Sequence, residues 1–277
     1  MESTTAPTFQ GKIAILGAGS IGEALLSGLV ASGIDPKQIT ATNRTAARRD
    51  ELADRYGVNV TDDNNGAVSE SQVAFLCVKP GQILGLIEDI STDIADSDSA
   101  TVLVSMAAGI SLQAMEEAVS AAGTPIVRVM PNTPMLVGKG LLAAAFGRFV
   151  DDEQHAAISE LLSAAGKLVE VKEKQMDAVT ALSGSGPAYF FLVAEALVDA
   201  GVSLGLPRDL ATELASATAA GAGAMLEGEQ TPTELRAGVS SPAGTTVAAI
   251  RELEESGLRG AFYRATEACA NRSAEIG

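Results

Sequence analysis

Three groups of residues have the types and spacing to do chemistry. The first is Gly17-Ala18-Gly19-Ser20-Ile21-Gly22. It follows a compact apolar run, 12–17, and opens a stretch with Ile21, Leu25 and Leu29 on one helical face. That strand–turn–helix context is what a G-x-G-x-x-G dinucleotide fingerprint requires, and an ordinary glycine-rich turn does not. Gly17 permits a tight turn, Gly19 lets the backbone approach a pyrophosphate, and Gly22 permits close helix–strand packing. The helix N-terminus then stabilises the negative charge.

The second group sits at the ends of later apolar runs. Asn43-Arg44-Thr45 closes the second run with no carboxylate, where an NAD site usually carries Asp or Glu for the ribose hydroxyls. Arg44 can instead donate charge-assisted hydrogen bonds to a 2′-phosphate, each worth about 1.5–3 kcal/mol. The expected cofactor is NADPH, with NADH also admitted. Cys77-Val78-Lys79-Pro80 closes the third run and offers Lys79 to a cofactor ribose or phosphate. Met106-Ala107-Ala108-Gly109 closes the fourth, small enough to leave room for a flat ring such as nicotinamide. Met130-Pro131-Asn132-Thr133-Pro134 closes the fifth. There Asn132 either meets a ligand amide or belongs to a rigid turn. The third group, Val239-Ser240-Ser241-Pro242-Ala243-Gly244-Thr245-Thr246, gathers hydroxyls and free backbone N–H groups around a helix start, which suits a small carboxylate. Ser183 and Ser185 read as helix caps.

The elements that must position these groups divide the chain. Apolar runs at 12–17, 39–43, 73–78, 101–106, 125–130, 141–147 and 167–171 alternate with helix-length segments. This pattern predicts a parallel sheet covered on both faces, an α/β Rossmann-type dinucleotide-binding domain over 1–171. From 172 to 277 no strand is expected. Helices are read at 188–204, 208–226, 232–237, 244–255 and 258–275. The first of these is apolar nearly all round, so it must be buried on every side. A second copy of the chain supplies that burial, and Ala219, Gly221, Ala222 and Gly223 permit close helix approach.

Composition narrows the function classes. Thirty-five acidic against 19 basic residues give a net charge of −16, which argues against a nucleic-acid partner. Mean hydropathy is +0.22, with ample apolar material for a core. Two cysteines and one histidine leave no set for a structural zinc site and make histidine-based acid–base catalysis improbable. His155 reads as solvent-facing, and Cys77 as a small apolar residue with no base to make it a nucleophile. The polar N-terminus lacks a signal pattern. The 188–204 segment, interrupted by Glu195 and Asp199, is too short to span a membrane. A reduced, cytoplasmic, soluble protein is expected.

Taken together, GAGSIG, CVKP, MAAG, MPNTP, LSGSGPAY and VSSPAGTT, in this order and spacing, resemble the pyrroline-5-carboxylate reductase family over essentially the whole chain. The resemblance implies NAD(P)H-dependent reduction of 1-pyrroline-5-carboxylate to L-proline. It also implies an all-helical C-terminal domain that dimerises with its twin, and a larger ring of dimers in some members. By motif it carries the substrate onto Ser241, Gly244, Thr245 and Thr246, with Val239 and Ser240 in the same loop and Glu229 before it. It carries the adenosine side of the cofactor onto Asn64, and the 2′-phosphate region onto Asn43, Arg44 and Thr45. One departure is Ala243, where many members have glycine. The chemistry is coherent without a strong general acid, because a cyclic imine near neutral pH is already protonated on nitrogen. Thr246 is the expected partner of that nitrogen, in one cleft with the glycine turn. A 3-hydroxyacid dehydrogenase needs a lysine base in the second half, and no lysine follows Lys174. A non-catalytic NADP sensor is disfavoured by the intact VSSPAGTT loop.

Overall fold

The computed structural model describes residues 8–95 and 101–276. Up to the sheet's last strand the elements run β1 (Ile13–Leu16), α1 (Ser20–Ala31), β2 (Ile39–Thr42), α2 (Ala46–Tyr56), β3 (Asn59–Thr61), α3 (Asn64–Ser69), β4 (Val73–Leu76), α4 (Ile83–Ala95), β5 (Val102–Ser105), α5 (Leu112–Ala118), β6 (Ile126–Met130), β7 (Leu141–Phe146), α6 (Asp152–Ala165) and β8 (Lys167–Glu170). The strands form one sheet ordered β3-β2-β1-β4-β5-β6-β7-β8. Pairing is parallel except between β6 and β7. The expected all-parallel sheet is corrected there: the link through 131–140 holds only a short 3₁₀ turn, Thr133–Val137, and has no crossover helix to return the chain to the same edge. β3 was also not anticipated. It has three residues, none of them fully buried, so it leaves no apolar run.

Alternation along the strands divides the core between the two faces. Ile13, Ile15, Phe75 and Val104 meet Leu25, Leu29, Leu161 and Leu162 of α1 and α6. Ala14, Leu16, Ala74 and Leu76 meet Ile87 and Ile90 of α4 and Met115 of α5. The sheet order reverses between β1 and β4, and ligands of open α/β sheets bind outside the carboxyl ends of strands at such a switch point.

After β8 the described chain is helical: α7 (Met176–Val179), α8 (Gly186–Ser203), α9 (Arg208–Met225), α10 (Pro232–Gly238), α11 (Thr245–Glu255) and α12 (Leu258–Ala274). Two compact units result. One holds residues up to Gly184 together with those from Cys269 onward, and the other is Ser185–Ala268. These limits differ from a division at 171/172, because α7 and the end of α12 belong with the sheet. In the second unit α8 lies on α9, where a Cβ on Gly201 would stand 3.1 Å from that of Ala211. Phe190, Phe191 and Leu192 are 68%, 66% and 65% exposed, so the apolar face expected to be covered is open in the single chain. The helical run Glu173–Ser203 is longer than the segment read from the sequence, and by length and composition alone it could cross a membrane. Neither serine before α8 caps it. Ser185 makes no side-chain cap bond, and Ser183 Oγ donates back to the Val179 carbonyl at 3.1 Å.

Both ends of the helical half are tied to the sheet through one buried cation. Arg128 of β6 is 5% exposed, and its Nη1 donates to Glu173 Oε1 at 2.8 Å. The same oxygen accepts the Leu112 N–H at 3.1 Å. Asp177 lies 3.9 Å from Arg128 Nη2 and accepts from Ser273 Oγ of α12 at 2.8 Å. Removing the arginine strands a half-buried carboxylate. Arg128→Met should lower stability by about 2–3 kcal/mol, read as a drop in the thermal midpoint. A midpoint unchanged from wild type contradicts the role.

Candidate functional site

The glycine turn is held by backbone geometry and one threonine. Gly17 has φ +87°, and a Cβ there would lie 2.7 Å from Val78 Cγ1. A Cβ on Gly22 would stand 3.0 Å from the Gly17 carbonyl and 3.3 Å from Cys77 Cβ, so the helix closes on the strand ends only without one. A Cβ on Gly19 would meet nothing within 4 Å, so that side of the turn is open. Thr42, 2% exposed, binds the turn from below. It accepts the Gly17 N–H at 3.1 Å and the Ala18 N–H on its carbonyl at 2.8 Å, and donates to Asn64 Oδ1 at 2.6 Å.

Gly19 is the N-cap of α1 and supplies no side-chain cap. The first-turn N–H groups of Ser20, Ile21 and Gly22 therefore point out of the helix with its positive dipole end behind them, a ready anion site. They open beside a cavity of about 510 Å³ lined by Gly17, Gly19, Asn43, Arg44, Thr45, Asn64, Val78 and Lys79, all expected from the sequence. Thr42, Asp62, Cys77, Gln82, Gly85, Leu86 and Asp89 also line it and were not foreseen. Most of these come from α4 and from the strand end after β3, which no sequence motif marks.

The charges at this cavity are sorted by their partners. Arg48 pairs with Glu23 and with Glu51, and Arg49 with Asp62. Arg44 and Lys79 are exposed, and neither side chain has a hydrogen-bond or ion-pair partner among the described residues. They are the cations open to an incoming anion. Asn43 is largely structural: its amide donates to the Ala18 carbonyl at 3.2 Å and accepts the Thr45 N–H at 3.0 Å. Burial pushes the Cys77 thiol up to about 12, so it stays protonated, as expected of an inert residue. Pro80 opens a 3₁₀ turn, Pro80–Gln82, beside the cavity.

Further along the sheet, Met106 and Ala107 are 5% and 4% exposed and Ala108 is half-buried. These three do not line the 510 Å³ cavity. Asn132 is engaged at both ends of its amide, donating to the Ser183 carbonyl at 3.2 Å and accepting the Leu141 N–H at 2.9 Å. That is the rigid-turn arrangement of the two alternatives. His155 is not simply solvent-facing: its ring lies 4.0 Å from that of Phe146 and its Nε2 is 3.1 Å from Glu170.

In the second unit the hydroxyl loop joins α10 to α11. Val239 is the C-cap of α10, and Ser240 Oγ donates to the Arg236 carbonyl at 2.6 Å. Gly244 caps α11 with no side-chain bond, so the N–H groups of Thr245 and Thr246 are free of intrahelical partners. The hydroxyls of Ser241, Thr245 and Thr246 have no partner among the described residues. Ala243 has φ +58°, the one positive φ on a non-glycine residue among those described. Glu229 is exposed on the turn between α9 and α10. Free hydroxyls and N–H groups at a helix start are a donor set that a small anion can use.

Comparison with known proteins fits both units. Residues 173–276 match the family model described as pyrroline-5-carboxylate reductase dimerisation, and residues 12–109 the model described as NADP oxidoreductase coenzyme F420-dependent. The chain is 58% identical to the pyrroline-5-carboxylate reductase of Corynebacterium melassecola, over 96% of this chain and 98% of the relative. A solved pyrroline-5-carboxylate reductase from Coxiella burnetii superposes with a TM-score of 0.90 at 36% identity, covering 97% of this chain and 99% of that one. The Plasmodium falciparum pyrroline carboxylate reductase with NADP bound superposes at 0.84 with 28% identity, over 97% and 98%.

One acid, Glu23, lies in the first turn of α1, and the structure neutralises it. Burial alone raises Glu23, but hydrogen bonds from Arg48 and Tyr56 and the nearby Arg55 charge outweigh it and hold the carboxyl below the usual range. A carboxylate whose folded pKa is depressed stabilises the protein above its unfolded value, near 4.5, and that contribution is lost as pH falls through the folded value. Glu23→Gln should therefore be less stable than wild type near pH 6, and the two should converge as pH drops below 4. Unfolding curves from pH 6 to pH 3 test this, and a difference independent of pH contradicts it.

Proposed function

The chain belongs to the pyrroline-5-carboxylate reductase family, and we propose which of its residues carry the family's reaction, the NAD(P)H-dependent reduction of 1-pyrroline-5-carboxylate to L-proline in proline biosynthesis. The observation that carries the cofactor half is the uncapped start of α1, opening on a cavity where Arg44 and Lys79 are unpaired. That donor set fits a dinucleotide with a 2′-phosphate. The N–H groups of Ser20, Ile21 and Gly22 hold the pyrophosphate, with Gly17, Ala18 and Gly19 shaping the turn. Arg44 and the Thr45 hydroxyl hold the 2′-phosphate, on a loop that Asn43 stiffens. Asn64 offers its unpaired amide nitrogen to the adenosine side. Val78, Lys79 and Pro80 flank the ribose, and Met106, Ala107 and Ala108 border the ring, with Asn132 fixing the turn after β6.

Bound NADPH supplies the hydride that the imine carbon accepts. The chain's own part is to bind and orient. Ser241, Thr245 and the first-turn N–H groups of α11 hold the substrate carboxylate, with Gly244 allowing close approach and Val239 and Ser240 setting the loop. Thr246 Oγ1 accepts the N–H of the protonated ring, and Glu229 favours that positive charge from the neighbouring turn. Catalysis on this reading is mostly positioning. The protein works as a homodimer through the open apolar face of α8, supported by the dimerisation match over 173–276. Association of dimers into a ring rests on the resemblance alone. A soluble cytoplasmic enzyme fits the acidic composition, and on this reading a second protein chain, not lipid, covers the apolar helix.

Two substitutions test the two halves separately. Arg44→Ala should raise KM for NADPH on the order of 10- to 100-fold while changing KM for NADH little, as expected for loss of charge-assisted bonds to the 2′-phosphate. Equal effects on both cofactors refute that role. Thr246→Ala should lower kcat/KM for the imine by roughly tenfold or more with KM for NADPH unchanged, followed as NADPH oxidation at 340 nm. Turnover at the wild-type rate removes Thr246 from the mechanism.

A further inference from the structure

The sequence puts no acid at the end of β2, yet the fold brings one there. β3 runs parallel to β2 with Thr61 opposite Thr42, and the Asn43 N–H donates to the Thr61 carbonyl at 3.1 Å. Asp62 is the next residue of the adjacent strand. It therefore stands beside Asn43, one strand away from where a carboxylate in an NAD site binds the ribose hydroxyls. Asp62 and Arg44 line the same cavity. A bare carboxylate there repels a 2′-phosphate and accepts a 2′-hydroxyl.

Arg49 answers that charge. Its guanidinium lies 3.3 Å from Asp62 Oδ2, and its Nη1 donates to the Asn43 carbonyl at 2.7 Å. One planar fork thus spans the acid and the backbone immediately before Arg44, a geometry that a guanidinium supports. The arginine side chain is 19% exposed against 66% for the aspartate, so the cation is the anchored member and the acid the movable one. Arg48 is engaged by Glu23 and Glu51, which leaves Arg49 as the cation paired with Asp62 among the described residues.

We propose that Arg49 is a positioning residue that determines cofactor choice: it masks Asp62 and fixes the Asn43 carbonyl, so that Arg44 meets a 2′-phosphate in a site that would otherwise favour the non-phosphorylated dinucleotide. The inference rests on the assignment of Arg44 to the 2′-phosphate. The test is the ratio of kcat/KM for NADPH to that for NADH, measured with 1-pyrroline-5-carboxylate in wild type and in Arg44→Ala, Arg49→Met, Asp62→Asn and Arg49→Met/Asp62→Asn, with thermal midpoints alongside. Arg49→Met should lower the ratio on the order of tenfold, and adding Asp62→Asn should recover most of it. Asp62→Asn alone, at an exposed position, should leave the ratio unchanged or raise it. A loss shared equally by both cofactors in Arg49→Met, no recovery in the double variant, or a lower ratio in Asp62→Asn overturns the proposal while leaving Arg44 in place. An Arg44→Ala variant with an unchanged ratio removes the 2′-phosphate assignment itself, and the Arg49 role with it.

Discussion

The backbone turn between β1 and α1, fastened to Thr42, is the constraint on which the rest of the cofactor site depends. A helix start without a capping side chain leaves several N–H groups without partners, and only a bound anion or water satisfies them. Here the turn holds those groups outward because Gly17 adopts a left-handed backbone against Val78 and Thr42 engages both Gly17 and Ala18. Thr42 also reaches Asn64, so the ends of β1 and β2 and the starts of α1 and α3 meet at one buried threonine. The acid in the first turn of α1 would oppose an anion, and the arginines of α2 cancel it. The same helix that supplies Arg44 at its entrance thereby also clears the field in front of it.

Much of this was legible in the sequence because apolar runs and glycine spacing report directly on buried parallel strands and on the turns between them. β1, β4 and β5 are buried at every position, and apart from Ser105 at the end of β5 their sequences are continuous apolar runs. Five helices of the second half were equally plain, within a residue or two of their observed limits, while the four-residue α7 was not read. What escaped has a common cause. β3 is a half-exposed edge strand of three residues with no hydrophobic signature, and missing it hid Asp62 beside Asn43. Thr42 looked like one more strand residue, since hydrogen bonds between distant segments leave no mark in spacing. Asn132 carried a real signal, two flanking prolines, but whether its amide faces a ligand or the Ser183 carbonyl is decided by tertiary contact. The reversal at β7 likewise depends on where the chain returns, which local pattern does not encode.

The two units meet different physical demands. The sheet unit buries most of its apolar residues within itself, on both faces. The helical unit leaves Phe190, Phe191 and Leu192 largely open, an exposure that a single soluble chain rarely sustains. With a second copy covering that face, as proposed, its stability would rise with protein concentration. Within the sheet unit, Arg128 gathers the segments that lead into and out of the helical unit, through Glu173 and Asp177 on one side and, by way of Asp177, Ser273 on the other.

Ala243 carries one further consequence. Its methyl group sits at φ +58°, a region that costs an L-residue roughly 1–2 kcal/mol and glycine almost nothing. The bend before α11 therefore carries a small backbone strain, kept in place by the Gly244 N–H on the Ser241 carbonyl at 3.0 Å. Glycine in its place would relieve that strain but would lose more chain entropy on folding. The two effects oppose, so an alanine at this point exchanges local backbone tension for a smaller set of conformations open to the unfolded loop.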